Sequence, residues 1–318
     1  MPRVAAVDCG TNSIRLLVAD IERDPRSGAV TQRDVVRRME IVRLGQGVDA
    51  TGRLDPAALA RTFAAVERYA AEIRAAGATA VRFVATSATR DAANAADFVA
   101  GVRERLGVAP EVVSGDVEAG LSFTGATAAL DGGLAEPFAV VDIGGGSTEV
   151  VVGTSTVTAA LSVDVGCVRL TERHLAADPP TPDQVAAARR DVAAALDRVA
   201  AEVPLGGVRT LVGVAGTVTT VAAAALDLPA YDPAAIHGSV QPVEHVVAVC
   251  ERLLAATRAE RAVLPFMHPG RVDVIGAGAL VWAAVIERVA AESGVTSVVA
   301  SEHDILDGIA LSLVPAWT

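Results

Sequence analysis

Two stretches of this sequence share one chemical design: Val7-Asp8-Cys9-Gly10-Thr11-Asn12-Ser13 and Val141-Asp142-Ile143-Gly144-Gly145-Gly146-Ser147-Thr148-Glu149. Each has an apolar run ending in Asp, a turn of small residues, and a second β-branched run. Glycine admits positive φ and close backbone approach, and successive turn amides make a concave donor cluster suited to phosphate oxygens. Gly10, Thr11, Asn12 and Ser13 are therefore candidate phosphate ligands, as are Gly144, Gly145, Gly146, Ser147 and Thr148. An Asp repels phosphate directly but can hold a divalent cation against it. Asp142 and Glu149 end one strand and start the next, so both can face one cation, and Mg²⁺ typically takes one or two carboxylates. Asp8 has the same geometry in the first stretch. Read plainly, Glu149 could be an exposed strand residue and Asp8 a turn cap.

Other residues could serve the same chemistry. Arg90 and Ser87 lie in a Ser/Thr-rich loop after a strand, where a guanidinium can clamp phosphate oxygens or pair with Asp91 or a helix acid. Arg15 follows the first turn, on an otherwise apolar strand. Arg169 and Arg271 are weaker candidates. Gly216-Thr217 opens a helix, a ready anion contact or ordinary capping. Glu118 sits in a first helical turn, where acids are common for dipole reasons alone. The scattered histidines form no H-x-x-x-H or H-E-x-x-H pattern, which argues against metal-histidine catalysis. Ser147 lies in no G-x-S-x-G elbow, which argues against a hydrolase triad.

The bulk properties narrow the classes. The chain has 318 residues, long for one core, so two domains are expected. Its formal net charge of −11 argues against a general nucleic-acid binder and leaves a local basic groove open. No lysine occurs, which excludes a Walker-A lysine, a Schiff-base lysine and a kinase β3 lysine. Cys9, Cys167 and Cys250 are scattered, so neither a disulfide framework nor a zinc site is expected, and a reducing cytoplasm is. No apolar stretch reaches the ~20 residues of a membrane span, and the N-terminus lacks signal-peptide form.

The elements that must position these residues follow from periodicity and punctuation. Val4–Val7 and Ile14–Ile21 read as a hairpin, with residues 28–42 as a third strand and 44–54 as a loop. Asp55 caps a helix with Pro56 at its first position and Gly77 at its end. Residues 81–86 read as a strand, 87–91 as a loop, 92–106 as a helix, 110–113 as a strand and 114–130 as a helix. The order then restarts with strands at 138–142, 148–153 and 157–165. Helices follow at 168–175 and 182–201, the latter capped by Thr181. A strand is expected at 210–214 and helices at 218–226, 243–255 and 277–291. A strand at 295–300 and a helix at 304–313 complete the pattern. This is α/β order, with Asp8 and Asp142 at equivalent points.

Taken together, these stretches resemble the exopolyphosphatase/guanosine pentaphosphate phosphohydrolase (Ppx/GppA) family, in its short two-domain form. The matching motifs include Asp8–Leu16, Thr86–Ala92, Ser114–Ala119, Asp142–Glu149, Gly166–Glu172, Val214–Thr220, Tyr231-Asp232-Pro233 with His237-Gly238, and Ser301-Glu302-His303. The resemblance implies a two-lobed ribonuclease H-like fold, that of actin, Hsp70 and sugar kinases, with the active site in the interdomain cleft. Domain I would span 1–122 plus 302–318 and domain II 123–301. The family's catalytic Glu falls at Glu118, as general base for water attack on the terminal phosphorus. The family usually carries two adjacent acids there; here the first is Val117, and Asp116 is a nearby alternative.

The activity implied is metal-dependent hydrolysis of the terminal phosphate of inorganic polyphosphate, releasing orthophosphate. Mg²⁺ or Mn²⁺ would be held by Asp142 and Glu149, with Asp8 a further carboxylate. The chain ends without room for the extra C-terminal helical domain of some members, so short polyphosphate chains are the expected preference. The close rival is hydrolysis of guanosine pentaphosphate, with guanosine tetraphosphate as a possible ligand and a link to the stringent response. A small-molecule kinase of the same fold and a non-enzymatic polyphosphate- or nucleotide-binding regulator are the rivals of other classes. A homodimer without nucleic-acid or membrane partners is the expected assembly.

Overall fold

In the computed structural model, residues 1–24, 30–130 and 133–314 are described, Arg23 by its backbone alone. They form two compact units, Met1–Ala128 with the helix that begins at Ile305, and Ala129–Asp304. Among the described residues, no helix is long and apolar enough to cross a membrane.

The first unit is built on strands β1 (Arg3–Cys9), β2 (Ser13–Arg23) and β3 (Val30–Ile41). The first two residues of the third expected strand, 28 and 29, lie outside the described residues. Helices α1 (Val48–Thr51) and α2 (Pro56–Ala76) precede β4 (Ala80–Ala85), and α3 (Ser87–Arg90) and α4 (Ala95–Leu106) precede β5 (Glu111–Val112). Helix α5 (Gly115–Ala128) closes the run. The sheet order is β3-β2-β1-β4-β5. Alternate residues of β1 serve two cores: Ala5, Val7 and Cys9 pack with α2 and α4, Val4 and Ala6 with the last helix. A strand buried on both faces must read as a continuous apolar run, and this one does.

The punctuation of α2 works as its residues require. The Asp55 carboxylate accepts from the Ala57 and Ala58 amides, and Gly77 ends the helix at φ 71. Two stretches expected as loops are partly helical. Left-handed Gly47 and Gly52 bracket the single turn α1, and residues 87–90 coil into α3 because the Arg90 amide bonds back to the Thr86 carbonyl. The domain handover expected at 122 lies inside α5, so the first unit runs to Ala128. Residues 315–318 of the expected return segment lie outside the described residues.

The second unit repeats the plan. Strands β6 (Phe138–Ile143), β7 (Thr148–Gly153) and β8 (Val157–Val163) form a meander, followed by α6 (Cys167–His174) and α7 (Pro182–Glu202). Then come β9 (Thr210–Val214), α8 (Ala215–Ala225), α9 (Pro233–Ile236), β10 (Val240–Pro242), α10 (Val243–Ala255), α11 (Arg258–Ala262), α12 (Ile275–Ser293) and β11 (Ser297–Ala300). The order β8-β7-β6-β9-β11 matches that of the first sheet, with β10 added antiparallel at the edge. Thr181 and Gln184 form a reciprocal capping box at α7. The short elements α9, β10 and α11 have too few residues to show a period, and the sequence reading missed them.

His237 joins the two ends of this unit. Its Nδ1 accepts from the Glu302 amide at 3.3 Å, so the proton sits on Nε2, which donates to the Ala129 carbonyl at 3.1 Å.

The last helix, α13 (Ile305–Ser312), packs against α5 in the first unit. A Cβ at Gly308 would lie 2.0 Å from the Leu121 carbonyl oxygen, a backbone atom of α5. Gly308→Ala should therefore force the two helices apart. Overpacking costs about 1–3 kcal/mol, and a clash with backbone belongs at the upper end. Denaturant unfolding should show a clearly lowered midpoint, and an unchanged midpoint would contradict this packing.

Candidate functional site

The repeated topology places equivalent residues in equivalent rows. In the first sheet Asp8, Arg15 and Met39 stand directly opposite one another across β1, β2 and β3. In the second, Asp142, Glu149 and Ser162 do so across β6, β7 and β8. The two rows have different charge chemistry. Arg15 donates to Asp8 Oδ2 from Nε at 3.0 Å and from Nη2 at 2.7 Å, so the first row contains its own ion pair. Arg15, expected to reach phosphate, and Asp8, expected as a metal ligand, are thus bound to each other.

The second row sets two carboxylates opposite each other, Asp142 at 6% and Glu149 at 1% exposure. Like charges directly across a strand pair oppose each other, and burial raises the cost of each. Ser162 Oγ donates to Glu149 Oε1 at 2.7 Å and turns its carboxyl group. A hard divalent cation would relieve the repulsion. A pair of oxygen ligands is what Mg²⁺ commonly takes from protein, with water and phosphate oxygens filling the rest of its shell. The residues present fit such a cation. Among the described residues, no group of three or more His, Cys, Asp and Glu side chains forms a larger metal cluster.

The turns above these rows are built alike. The Gly10 amide donates to the Ser13 carbonyl at 3.0 Å, and the Gly144 amide to the Ser147 carbonyl at 3.0 Å. Their other carbonyls are held from behind. The Thr11 carbonyl accepts from the Gly45 amide, and the Asn12 carbonyl from the Val42 and Arg43 amides. In the second turn, the start of α6 supplies the donors: Cys167 N to Gly144 O at 3.0 Å, and Val168 N and Arg169 N to Gly145 O at 2.9 and 3.1 Å. Arg169 Nε adds a bond to Gly146 O at 2.7 Å. In a trans peptide the N–H points opposite the carbonyl. The amides of Asn12, Gly145, Gly146 and Ser147 therefore face away from these anchors. Among the described residues none of the four donates to a protein acceptor. Gly166 is required for this arrangement, since a Cβ there would lie 2.5 Å from Gly145 O and 2.7 Å from Gly146 N.

The hydroxyls near the turns are partly committed. Thr11 Oγ1 and Ser87 Oγ lie 3.0 Å apart and buried. Thr148 Oγ1 donates to the Val165 carbonyl at 2.6 Å, so this side chain, expected at phosphate, braces the fold. Ser147 is buried.

In the first unit Glu118 is buried on the first turn of α5, at 7% exposure, beside Val117 at 44%. Asp116, its rival in the sequence, is exposed. Arg90 Nη1 donates to Glu118 Oε2 at 3.1 Å and to the Val113 carbonyl at 3.0 Å. The partner of Arg90 is thus a helix acid, and that acid is the candidate base.

At the third Gly motif, β9 runs into α8 through Ala215 at φ 68. Gly216 lies under the Arg271 guanidinium, which a Cβ would meet at 2.6 Å. Arg271 Nη1 also donates to Thr220 Oγ1 at 3.0 Å. The Tyr231 hydroxyl bridges Thr219 Oγ1 at 2.7 Å and Glu302 Oε1 at 2.6 Å. Thr217 is buried, its Oγ1 2.5 Å from where a Cβ on Gly278 would sit. Arg169 and Arg271, weak candidates in the sequence, therefore touch the Gly motifs directly. Ser162 was not anticipated at all. Burial pushes the Cys167 thiol up to about 11, which removes it as a nucleophile near neutral pH.

Known proteins share this architecture. Exopolyphosphatase 2 of Mycobacterium tuberculosis is 51% identical over 318 residues, covering 98% of this chain and 99% of that protein. The crystal structure of an exopolyphosphatase-like protein matches at 43% identity with a TM-score of 0.93, covering 98% of each chain. The Aquifex aeolicus member of the Ppx/GppA protein family matches at 29% identity with a TM-score of 0.80, covering 98% of this chain and 97% of that one. The Ppx/GppA phosphatase family pattern itself extends over residues 25–313, and the chain belongs to that family.

Proposed function

We propose that this protein is an exopolyphosphatase, which hydrolyses the terminal phosphoanhydride of inorganic polyphosphate and releases orthophosphate. The observation that carries this reading is the buried Asp142–Glu149 pair beneath a turn whose Gly145, Gly146 and Ser147 amides face away from the α6 donors that hold its carbonyls. That combination suits a polyanion together with a cation, and a relative 51% identical is named an exopolyphosphatase.

The residues divide the work. The outward amides bind phosphate oxygens. Asp142 and Glu149 would hold Mg²⁺, or Mn²⁺, which when bound supplies positive charge that offsets the phosphate oxygens. Glu118, oriented by Arg90, accepts a proton from water as the water oxygen bonds to the terminal phosphorus. The bridging P–O bond breaks, and the electron pair leaves on the shortened chain. Positioning and charge neutralisation supply most of the acceleration in such transfers.

The test is orthophosphate release, with Mg²⁺, from short polyphosphate, long polyphosphate, guanosine pentaphosphate and ATP. Polyphosphate should give the highest kcat/KM. Faster release from guanosine pentaphosphate would replace this reading with the nucleotide one. Binding without release from any of them would make the protein a regulator.

A further inference from the structure

We infer that Ser162 is a positioning residue for the divalent cation, acting through Glu149; this rests on the metal reading above. The two units share one sheet plan. At the third place in the row the first unit has Met39 and the second has Ser162. In the first unit the middle residue, Arg15, is oriented by Asp8. In the second unit the middle residue is a carboxylate facing another carboxylate, and its neighbour across β7 and β8 is a hydroxyl that donates to it.

The local sequence sharpens the point. Strand β8 reads Val157-Thr158-Ala159-Ala160-Leu161-Ser162-Val163, an uncharged edge strand whose neighbours favour small or branched apolar side chains. Serine is not among the β-branched and aromatic residues that strands favour, and it adds no apolar packing over that of Ala160. What it adds is one O–H, aimed at Glu149 Oε1 at 2.7 Å. A hydroxyl bonded to an ionised carboxylate makes a short, charge-assisted bond. It fixes the plane of the carboxyl group and withdraws negative charge from the oxygen that faces β8. Both effects matter for a buried ligand opposite a like charge. Groups that orient metal-ligating carboxylates typically govern 10–100-fold in metal affinity.

The experiment measures Mn²⁺ binding to the metal-free protein by electron paramagnetic resonance, with no substrate present. Wild type is compared with Ser162→Ala, Ser162→Thr and Glu149→Gln. Ser162→Ala should weaken Mn²⁺ binding about tenfold. Ser162→Thr, which keeps the hydroxyl and suits a strand, should bind within about threefold of wild type by the same reasoning. In turnover assays, Ser162→Ala should raise the half-saturating Mg²⁺ concentration while the polyphosphate KM stays unchanged.

Wild-type Mn²⁺ affinity in Ser162→Ala, alongside lost binding in Glu149→Gln, would overturn the inference and leave the metal reading standing. Equal weakening in Ser162→Ala and Ser162→Thr would also overturn it, since strand packing rather than the hydroxyl would then be responsible. Wild-type binding in Glu149→Gln would overturn the metal reading itself and this inference with it. A cooperative unfolding transition with a midpoint no lower than that of wild type confirms that each compared variant is folded.

Discussion

Glu118→Gln should lower polyphosphate turnover by about 10²–10⁴-fold, the usual contribution of a positioned general base, while polyphosphate binding stays near wild type. Gln has the same shape, and its carbonyl oxygen can still accept from Arg90 Nη1, which keeps its second bond to the Val113 carbonyl. What is lost is the ability to take a proton. The loss should fall on kcat, because an interaction made only in the transition state is removed. Asp116→Asn is the control, since Asp116 is exposed where Glu118 is buried. It should leave turnover within about twofold, as surface changes away from a site usually do. Orthophosphate release and equilibrium binding of labelled polyphosphate read the two quantities separately. Wild-type turnover in Glu118→Gln would remove the base assignment.

Glu149→Gln should have opposite effects on activity and stability. Metal-dependent hydrolysis should fall by about a thousandfold or more if Glu149 is the charged cation ligand proposed above, since a neutral group then replaces it. The metal-free protein should melt at a higher temperature than wild type. In the absence of a cation, Asp142 and Glu149 oppose each other across adjacent strands in a buried row, and neutralising one relieves that repulsion. The Ser162 bond survives, since the amide oxygen can still accept it. A gain of about 1 kcal/mol is of the size such cross-strand pairs carry, enough to see in a thermal scan. Sites held against their own stability commonly show this trade. A lowered metal-free melting temperature would show that the pair is not strained.

Much of the fold was legible because its signals are local. Asp55-Pro56 and Gly77, or Thr181-Pro182 with Gln184, state where a helix starts or stops within a few residues. The Asp142–Glu149 pair was legible for the same reason: a hairpin with a short turn forces residues at its base to face each other. Ser162 could not be found this way. Its relation to Glu149 depends on the register of β7 against β8, and one residue of slip would send it to the other face. Arg90 illustrates a second limit. Its chemistry was clear, but its partner Glu118 stands 28 residues farther along the chain, on the first turn of α5, a tertiary contact that no local spacing encodes. The one-turn helices α1 and α3 were read as loops because a single turn is too short to display a period.

The amides of Gly145, Gly146 and Ser147 face away from the α6 donors that hold the second turn. If they bind polyphosphate as proposed, the pinning of their peptide planes by α6 fits them to the oxygens of a single phosphate group. A polymer cut at its tip by one residue presents the same group again. In the proposed reaction, donors that suit the first end would suit every later one, so each product would already be the next substrate, and the turn would need no second setting from the first cut to the last.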